Sequence, residues 1–216
     1  MYIGGGLANK MFQYAFSLAI KKKGYDVVYD TITFKTEFVH DRVELDDIFP
    51  NVNMNKILKS DYWAAGKQSK LARLVKRISP KYITEHAYLF NDKVWEQIKP
   101  TCYLESSWQD ENYFVSAADE VRQAFVFPPF EDERNVEVAQ AMASSNSVAI
   151  HIRKGDGYGT WNIFSNTCPK KYYDKALGYI KEHVENPKFF IFTDSPDVVK
   201  EYLDIEDYTL INWNPT

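Results

Sequence analysis

Apolar and polar positions follow the most regular pattern in the last third of the chain. Nearly continuous apolar runs at 147–152, 188–193 and 208–213 predict buried strands, and helical spacing over 170–184 predicts a helix between the first two. The inward face of the long helix is expected to carry Tyr172, Tyr173, Ala176 and Ile180, and a short helix is expected to begin after Pro196. This β-α-β-α-β order is typical of a parallel sheet that helices cover on both faces.

The start of the chain shows the same kind of unit in a shorter form. An apolar stretch at 1–3 leads into three glycines, and an apolar helical face then runs through 7–21. Lysines 21–23 with Gly24 predict the end of this helix, and a strand is expected at 25–30. Strand, glycine turn, helix and strand together indicate an α/β unit.

Two domains follow from this layout. The polar run 144–147 separates the two patterns, so we expect an N-terminal α/β domain at 1–143 and a C-terminal Rossmann-like domain at 144–216. Three predicted strands make only half of a doubly wound sheet, so the second domain is expected to be incomplete.

Composition limits the class of protein. The chain has 216 residues, with 26 Lys and Arg against 30 Asp and Glu, so its net charge of −4 offers no global basic field to nucleic acid. No stretch approaches the roughly 18 apolar residues of a membrane span, and the early glycines interrupt any secretion signal. Cys102 and Cys168 are too few and too distant for a disulfide scaffold or a zinc site. We therefore expect a cytoplasmic protein.

Charged residues gather where the first C-terminal strand ends. His151, Arg153, Lys154 and Asp156 follow its apolar residues, and ligands of open α/β sheets bind at the carboxyl ends of strands. The cations there suit an anionic ligand, although charges that project into solvent explain the pattern equally well. The glycines at 4–6 likewise permit two interpretations, a phosphate cradle before a helix or a tight turn that needs positive φ.

A basic amphipathic stretch runs from Lys67 to Lys81. The five cations from Lys67 to Arg77 alternate with Leu71, Leu74, Val75 and Ile78 at helical spacing, and Lys81 follows as the sixth. Such a run is most typical of a solvated helix face. The alternative is peripheral contact with a membrane, through anionic lipid or a lipid-linked acceptor.

Five segments in the chain carry recognisable motifs. They are 5–16 (GGLANKMFQYAF), 103–114 (YLESSWQDENYF), 151–156 (HIRKGD), 171–176 (KYYDKA) and 189–194 (FFIFTD). Taken together and in this order, they resemble the bacterial α-1,2-fucosyltransferases, which form glycosyltransferase family 11. The resemblance covers nearly the whole chain.

The resemblance implies a reaction and a set of site residues. The reaction is inverting transfer of fucose from GDP-fucose to the 2-hydroxyl of a terminal galactose in a glycan acceptor, with no metal or other cofactor. The implied fold is a GT-B-like pair of Rossmann-like domains, with the acceptor on the first and GDP-fucose on the second. The resemblance places the catalytic candidates Arg153, Asp156 and His151 at the nucleotide-sugar site, and it places Asn9 towards the donor. We further expect Gly6, Lys154 and Asp194 to bind the donor. Gln13, Trp108 and Gln109 are expected on the acceptor side, although Trp108 could equally be a core residue.

Arg153 is expected to contribute most to the reaction. A fixed guanidinium can hold two oxygens of the departing diphosphate and stabilise its charge without a metal. Lys154 replaces an arginine common in the family, which keeps the charge but loses forked binding. We expect Asp156 to orient Arg153 or to help deprotonate the acceptor, and His151 to pack beneath the turn.

The catalytic base and the extent of the chain stay open. Inversion calls for a base near the attacking hydroxyl, and Asp156, Glu105 and Asp110 are the candidates. Family members continue beyond the third strand, so we expect this sequence to be a fragment. A truncated, non-catalytic module that binds a nucleotide or glycan is one alternative. A metal-dependent GT-A transferase is another, although the acidic runs 131–133 and 204–206 are more typical of solvated faces.

Overall fold

The computed structural model consists of two compact units, Met1–Pro129 and Phe130–Thr216. It describes residues 1–32, 43–59, 62–85, 89–154 and 168–214. Asp156, one of the expected catalytic residues, lies outside the described residues. The protein is an α/β protein with small parallel sheets.

Besides two short 3-10 helices, the described part of the first unit contains five α-helices and two short strands. They are α1 (Leu7–Lys22), α2 (Leu45–Ile48), α3 (Lys70–Ile78), β1 (Tyr82–Ile83), α4 (Lys93–Gln97), β2 (Tyr103–Leu104) and α5 (Ala118–Ala124). The described part of the second unit contains α6 (Glu133–Ala143), β3 (Ser147–Ile152), α7 (Lys170–His183), β4 (Lys188–Thr193), α8 (Val199–Tyr202) and β5 (Tyr208–Ile211). No described helix is long and apolar enough to cross a membrane.

Helix α1 confirms the first predicted helix. It begins directly after Gly6, and it ends where Gly24 adopts a φ of +91°, a conformation that glycine reaches without strain. Its buried face includes the apolar residues Phe16 and Ile20 and also the polar residue Gln13. The helix therefore carries hydrogen-bonding groups into the core, as well as apolar surface.

The parallel pairing of the first unit extends beyond its two strands. Strand β1 pairs in parallel with β2, and the Tyr2 N–H donates to the Leu104 carbonyl at 2.9 Å. The Ile3 N–H then donates to the Asp30 carbonyl at 3.0 Å. The start of the chain thus lies between β2 and the segment that ends at Asp30.

The predicted strand at 25–30 is reduced to single bridges. Asp30 pairs with Tyr2, and Tyr29 pairs with Lys56, both in parallel. Within the segment only these last two residues are buried, and they are also the ones that form bridges to other described residues.

The second unit confirms the predicted β-α-β-α-β order. Its sheet is parallel with the order β3-β4-β5, and β3 pairs with β4 along its full length. Tyr173 and Leu177 of α7 pack against Ile152 and Ile191 of the sheet. Tyr172, which was expected to point inward, is exposed.

The opposite face of β3 differs from the prediction of a sheet covered on both faces. Ser147, Ala149 and His151 alternate with less exposed residues, and all three are exposed. Period-two alternation along this strand therefore separates a packed face from an open one.

Helix α6 belongs to the second unit, although the sequence placed it before the domain boundary. Its Asn135 accepts a hydrogen bond from Trp213 Nε1 at 2.9 Å and donates to Asn214 Oδ1 at 2.9 Å. Arg134 lies over the ring of Trp213, 5.4 Å from its centroid. These contacts join α6 to the end of β5, and the units divide at 129/130.

Candidate functional site

The first unit contains a polar cleft at the carboxyl ends of its parallel segments. The cleft has a volume of about 370 Å³, within the range of small-molecule sites. The glycine turn after Ile3, the chain after β1 and the chain after β2 all contribute to its walls. Its lining residues are Tyr2, Gly4, Gly5, Asn9, Gln13, Gly66, Gln68, Glu85, Glu105, Ser106, Ser107, Trp108 and Gln109.

The tight turn expected at 4–6 has its positive φ at Gly5, whereas Gly6, the glycine expected to bind the donor, is not among the residues that line the cleft. Gly5 has a φ of +85°, and a Cβ placed on it would lie 2.9 Å from Asn9 Nδ2. Gly6 has a φ of −62°, and a Cβ there would meet nothing within 4 Å. The turn prediction is therefore confirmed at Gly5, because this residue has both the positive φ and the close neighbour.

Asn9 and Gln109 meet in the cleft, 100 residues apart in sequence. Gln109 Nε2 donates a hydrogen bond to Asn9 Oδ1. Directly before Gln109 the backbone of Trp108 adopts a φ of +53°, which is unusual for a bulky residue. Trp108 itself is only 2% exposed and packs on Phe16 and Tyr113 with centroid distances of 4.8 and 5.4 Å. The strained residue is held by the core, and its neighbour Gln109 reaches the cleft.

Gln13 connects the two turns that form the cleft walls. Its Oε1 accepts a hydrogen bond from the Gly4 N–H at 2.8 Å, and its Nε2 donates to the Ser106 carbonyl at 3.1 Å. The side chain is 1% exposed. Gln13 therefore fixes the backbone beneath the cleft, with both ends of its amide occupied by main-chain groups.

Two of the expected candidates for a base differ sharply in their surroundings. Glu105 Oε1 pairs with Lys76 Nζ at 2.5 Å, and its Oε2 is buried without a hydrogen-bond partner among the described residues. Asp110 caps a turn, because its carboxylate accepts from the backbone N–H of Asn112 at 3.0 Å and of Phe90 at 2.9 Å. The hydrogen bond from the Asn112 N–H holds the pKa of Asp110 below its ordinary value, and the Phe90 N–H adds to this effect. Of these two carboxylates, only Glu105 lines the cleft.

The charged turn of the second unit follows β3 at the carboxyl edge of its sheet. Arg153 is exposed, and the Lys154 N–H donates to Asp194 Oδ1 at 2.9 Å. Asp194 follows β4, so this bond joins the ends of two neighbouring strands. The ammonium of Lys154 lies over the Tyr202 ring, 4.7 Å from its centroid. The hydrogen bond from Lys154 to Asp194 thus fixes the backbone directly after Arg153.

His151 is exposed at the end of β3. The turn under which it was expected to pack continues at 155–156, outside the described residues, so that packing stays a prediction. The His151 carbonyl accepts a hydrogen bond from the Tyr173 hydroxyl at 3.1 Å, which anchors the end of β3 on α7. Within the described part of the chain, His151 therefore contributes to the packed structure through its backbone.

The expected site residues fall into two groups, one in each unit. Asn9, Gln13, Trp108 and Gln109 surround the cleft of the first unit. His151, Arg153, Lys154 and Asp194 lie together at the sheet edge of the second. In the described ranges, no group of three or more His, Cys, Asp or Glu side chains is arranged to hold a metal ion.

The sequence reasoning predicted a positive φ within the glycine turn but did not assign it to Gly5, and it missed the link from Lys76 to Glu105. A pair that is 29 residues apart gives no signal of its own in the sequence.

Comparisons with known proteins agree on one family. Residues 91–211, more than half of the chain, match the model of glycosyl transferase family 11. An α-1,2-colitosyltransferase of Escherichia coli is 26% identical over 211 residues, which cover 93% of this chain and 70% of the relative. The O-antigen biosynthesis glycosyltransferase WbnK of Escherichia coli is 24% identical over 227 residues, covering 89% and 71% of the two chains. No solved structure matches the chain significantly. The chain is a glycosyltransferase and belongs to glycosyl transferase family 11.

Proposed function

We propose that this protein transfers fucose from GDP-fucose to the 2-hydroxyl of a terminal galactoside, with inversion and without a metal. A GT-B-like pair of Rossmann-like domains is part of the proposal. Membership of family 11 supports a nucleotide-sugar donor and a glycan acceptor. The relative named as an α-1,2-colitosyltransferase supports the 1,2 linkage.

The observation that carries the proposal is the position of Arg153. It follows a parallel strand at the carboxyl edge of the sheet, where α/β proteins bind their ligands. Its neighbour Lys154 donates its backbone N–H to Asp194 Oδ1, so the chain directly after Arg153 is anchored to the end of the neighbouring strand. In the proposed reaction the Arg153 guanidinium binds two oxygens of the departing diphosphate, and the charge that develops there is stabilised without reorganisation.

The cleft of the first unit supplies groups suited to a sugar or a phosphate. The Asn9 and Gln109 amides offer donors and acceptors for hydroxyl groups. Helix α1 begins at the cleft, and its first turn contains no acidic residue, so its positive end favours an anionic group there. We propose Glu105 as the base, because it lines the cleft and its Oε2 has no hydrogen-bond partner in the part of the chain that the structure describes. Asp156 is the other candidate.

Replacing Arg153 tests the leaving-group role. We expect Arg153→Ala to lower kcat/KM by about 100- to 1,000-fold, as the loss of one preorganised donor to a developing anion does elsewhere. The thermal midpoint should stay nearly constant because the side chain is exposed. Arg122→Ala is the matched control, since Arg122 is an exposed arginine that pairs with exposed Asp119. Near-normal turnover of Arg153→Ala would exclude the proposed role.

The identity of the donor sugar is a separate question. Colitose is fucose without its 3-hydroxyl, and the relative's name makes transfer of colitose the second candidate function. Turnover of GDP-fucose and GDP-colitose should be compared with one galactoside acceptor. A site that hydrogen-bonds the 3-hydroxyl would reject the deoxy sugar by up to about 10⁴-fold. Faster turnover of GDP-colitose would replace fucose by colitose in the proposal.

Two further measurements separate the remaining alternatives. A binding module without catalysis would give heat with GDP in isothermal titration but no transfer product. A metal-dependent transferase would lose activity in EDTA and regain it with Mn²⁺ or Mg²⁺. We expect transfer that persists in EDTA, with the linkage of the product established by NMR.

A further inference from the structure

Helix α3 exposes an apolar face to solvent. Leu71, Leu74 and Ile78 are 60%, 53% and 70% exposed, and their spacing places them on one side of the helix. The helix is well formed, because Ser69 caps its first turn by accepting a hydrogen bond from the Ala72 N–H at 3.2 Å. Three large aliphatic side chains on one exposed stripe are unusual for a helix that faces only water.

The same region is strongly cationic. The stretch 62–84 contains six Lys and Arg residues and no Asp or Glu, in a chain whose net charge is −4. Lys67, Lys70, Arg77 and Lys81 are exposed around the apolar stripe. Positive charge is therefore concentrated at the place where apolar surface meets solvent.

The opposite side of α3 fixes the helix to the first unit. Ala72 is fully buried, and Lys76 forms its ion pair with Glu105 on this side. Arg73, Lys76 and Arg77 also line a cavity of about 460 Å³, which shares Gln68 and Glu105 with the cleft described above. The apolar stripe thus belongs to a helix that is held in place, with its cations beside it.

We propose that α3 docks the protein on an anionic membrane surface, with Leu71, Leu74 and Ile78 inserted at the interface and the surrounding cations against lipid phosphates. An amphipathic helix with basic flanks and exposed leucines binds in the plane of the interface, where apolar burial and attraction to anionic lipid act together. Cations near such a surface each add to the attraction within a Debye length.

Charge also argues against a second copy of this chain as the partner. In a two-fold dimer the same patch would face itself, so the cations around one stripe would meet those around the other. Juxtaposed like charges are costly in an interface, whereas an anionic surface complements them. The charge pattern therefore favours lipid.

Docking through α3 has a consequence for the acceptor. Because Glu105 joins α3 to the cleft, a docked α3 holds the cleft close to the lipid surface, which suits an acceptor that is attached to lipid. This step rests on the proposed function, whereas the binding of vesicles does not.

The test is co-flotation of the whole protein with vesicles. Vesicles of equal parts phosphatidylglycerol and phosphatidylcholine should bind it, and vesicles of phosphatidylcholine alone should bind it at least about tenfold more weakly. The triple variant Leu71→Gln/Leu74→Gln/Ile78→Gln should lose binding by about tenfold or more. Its matched control is Leu58→Gln/Val115→Gln/Val126→Gln, which changes three exposed apolar residues elsewhere and should bind like the parent.

A second pair of variants tests the charges. Lys67→Ser/Lys70→Ser/Arg77→Ser should weaken binding to the anionic vesicles and flatten its salt dependence, whereas Lys175→Ser/Lys181→Ser/Lys200→Ser, three exposed cations of the second unit, should not. Circular dichroism of every variant confirms that the fold is retained. Equal binding by parent and apolar triple variant would overturn the proposal. So would sedimentation of the parent as a dimer that the apolar triple variant abolishes, because that result assigns the stripe to self-association.

Discussion

The glycine turn offers the sharpest test of the site geometry, because neighbouring glycines in it differ in what they tolerate. A Cβ at Gly5 would be strained at a φ of +85° and would lie 2.9 Å from the Asn9 amide. A Cβ at Gly24 would be strained at a φ of +91° but would meet nothing within 4 Å. A Cβ at Gly6 would meet neither problem. Three alanine variants therefore separate backbone strain from contact with the cleft.

The expected costs follow from these geometries. A side chain held at positive φ costs about 1–2 kcal/mol, so both Gly5→Ala and Gly24→Ala should lower the free energy of unfolding by that amount. For a chain of this size each kcal/mol lowers the midpoint of thermal unfolding by about 2–4 °C. Gly6→Ala should be neutral or slightly stabilising, because it only restricts the unfolded chain. The additional clash in Gly5→Ala falls on a flexible side chain, so its main effect should be displacement of Asn9.

Thermal unfolding and transfer activity are measured on all three variants. We expect Gly24→Ala to lose stability but keep its activity, Gly6→Ala to keep both, and Gly5→Ala to lose stability and also kcat/KM, because Asn9 can no longer pair with Gln109. Equal midpoints for Gly5→Ala and Gly6→Ala would refute the assigned backbone. If Gly5→Ala is as active as Gly24→Ala, Asn9 does not contribute to the site.

Two further predictions concern buried groups of the first unit. The Lys76–Glu105 pair is largely buried, so Lys76→Met or Glu105→Gln alone should each lower the free energy of unfolding in urea by about 3 kcal/mol. The double variant should lose clearly less than the sum of the two single losses. Strictly additive losses would contradict an interaction between the two side chains. Burial raises the pKa of Tyr29 to about 12, so its contribution to stability is complete below the ordinary pKa of about 10 and is lost as the pH rises from there towards 12. Between about pH 9 and 11, Tyr29 should lower the free energy of unfolding of the parent by about 1.3 kcal/mol. The Tyr29→Phe variant, measured at the same two pH values, should lose about 1.3 kcal/mol less than the parent.

The second unit could be predicted well from sequence because its signals are local. Its strands are apolar runs, and the apolar residues of its long helix recur at the spacing of a helical turn. The parallel order of the strands then followed from the alternation of strands and helices. The sequence prediction was wrong where the burial of a side chain depends on contacts with other elements. Tyr172 and Tyr173 are adjacent and chemically identical, yet only Tyr173 meets the core, as an edge-to-face partner of Tyr202 at 5.8 Å.

The first sheet was harder to predict because its strands are too short to show a period. Strand β1 has two residues, and the segment that ends at Asp30 contributes single bridges. Pairings such as Tyr2 with Leu104 span about a hundred residues, so they exist only once the chain has folded. Local strand propensity therefore cannot predict such long-range pairings.

The cleft shows how motif recognition and geometry complement each other. Asn9 and Gln109 belong to two different motifs, and the sequence assigned one to the donor and the other to the acceptor. Their side chains are hydrogen-bonded to each other, so a ligand that uses one amide must also disturb or share the other. Gln13 of the first motif reinforces this coupling, because its amide bonds the backbone of Gly4, directly before that motif, and of Ser106 in the second. Asn9 and Gln109 are therefore parts of one hydrogen-bonded network. If Asn9 binds the donor and Gln109 the acceptor, as we propose, substitution of either amide should change the KM for both substrates.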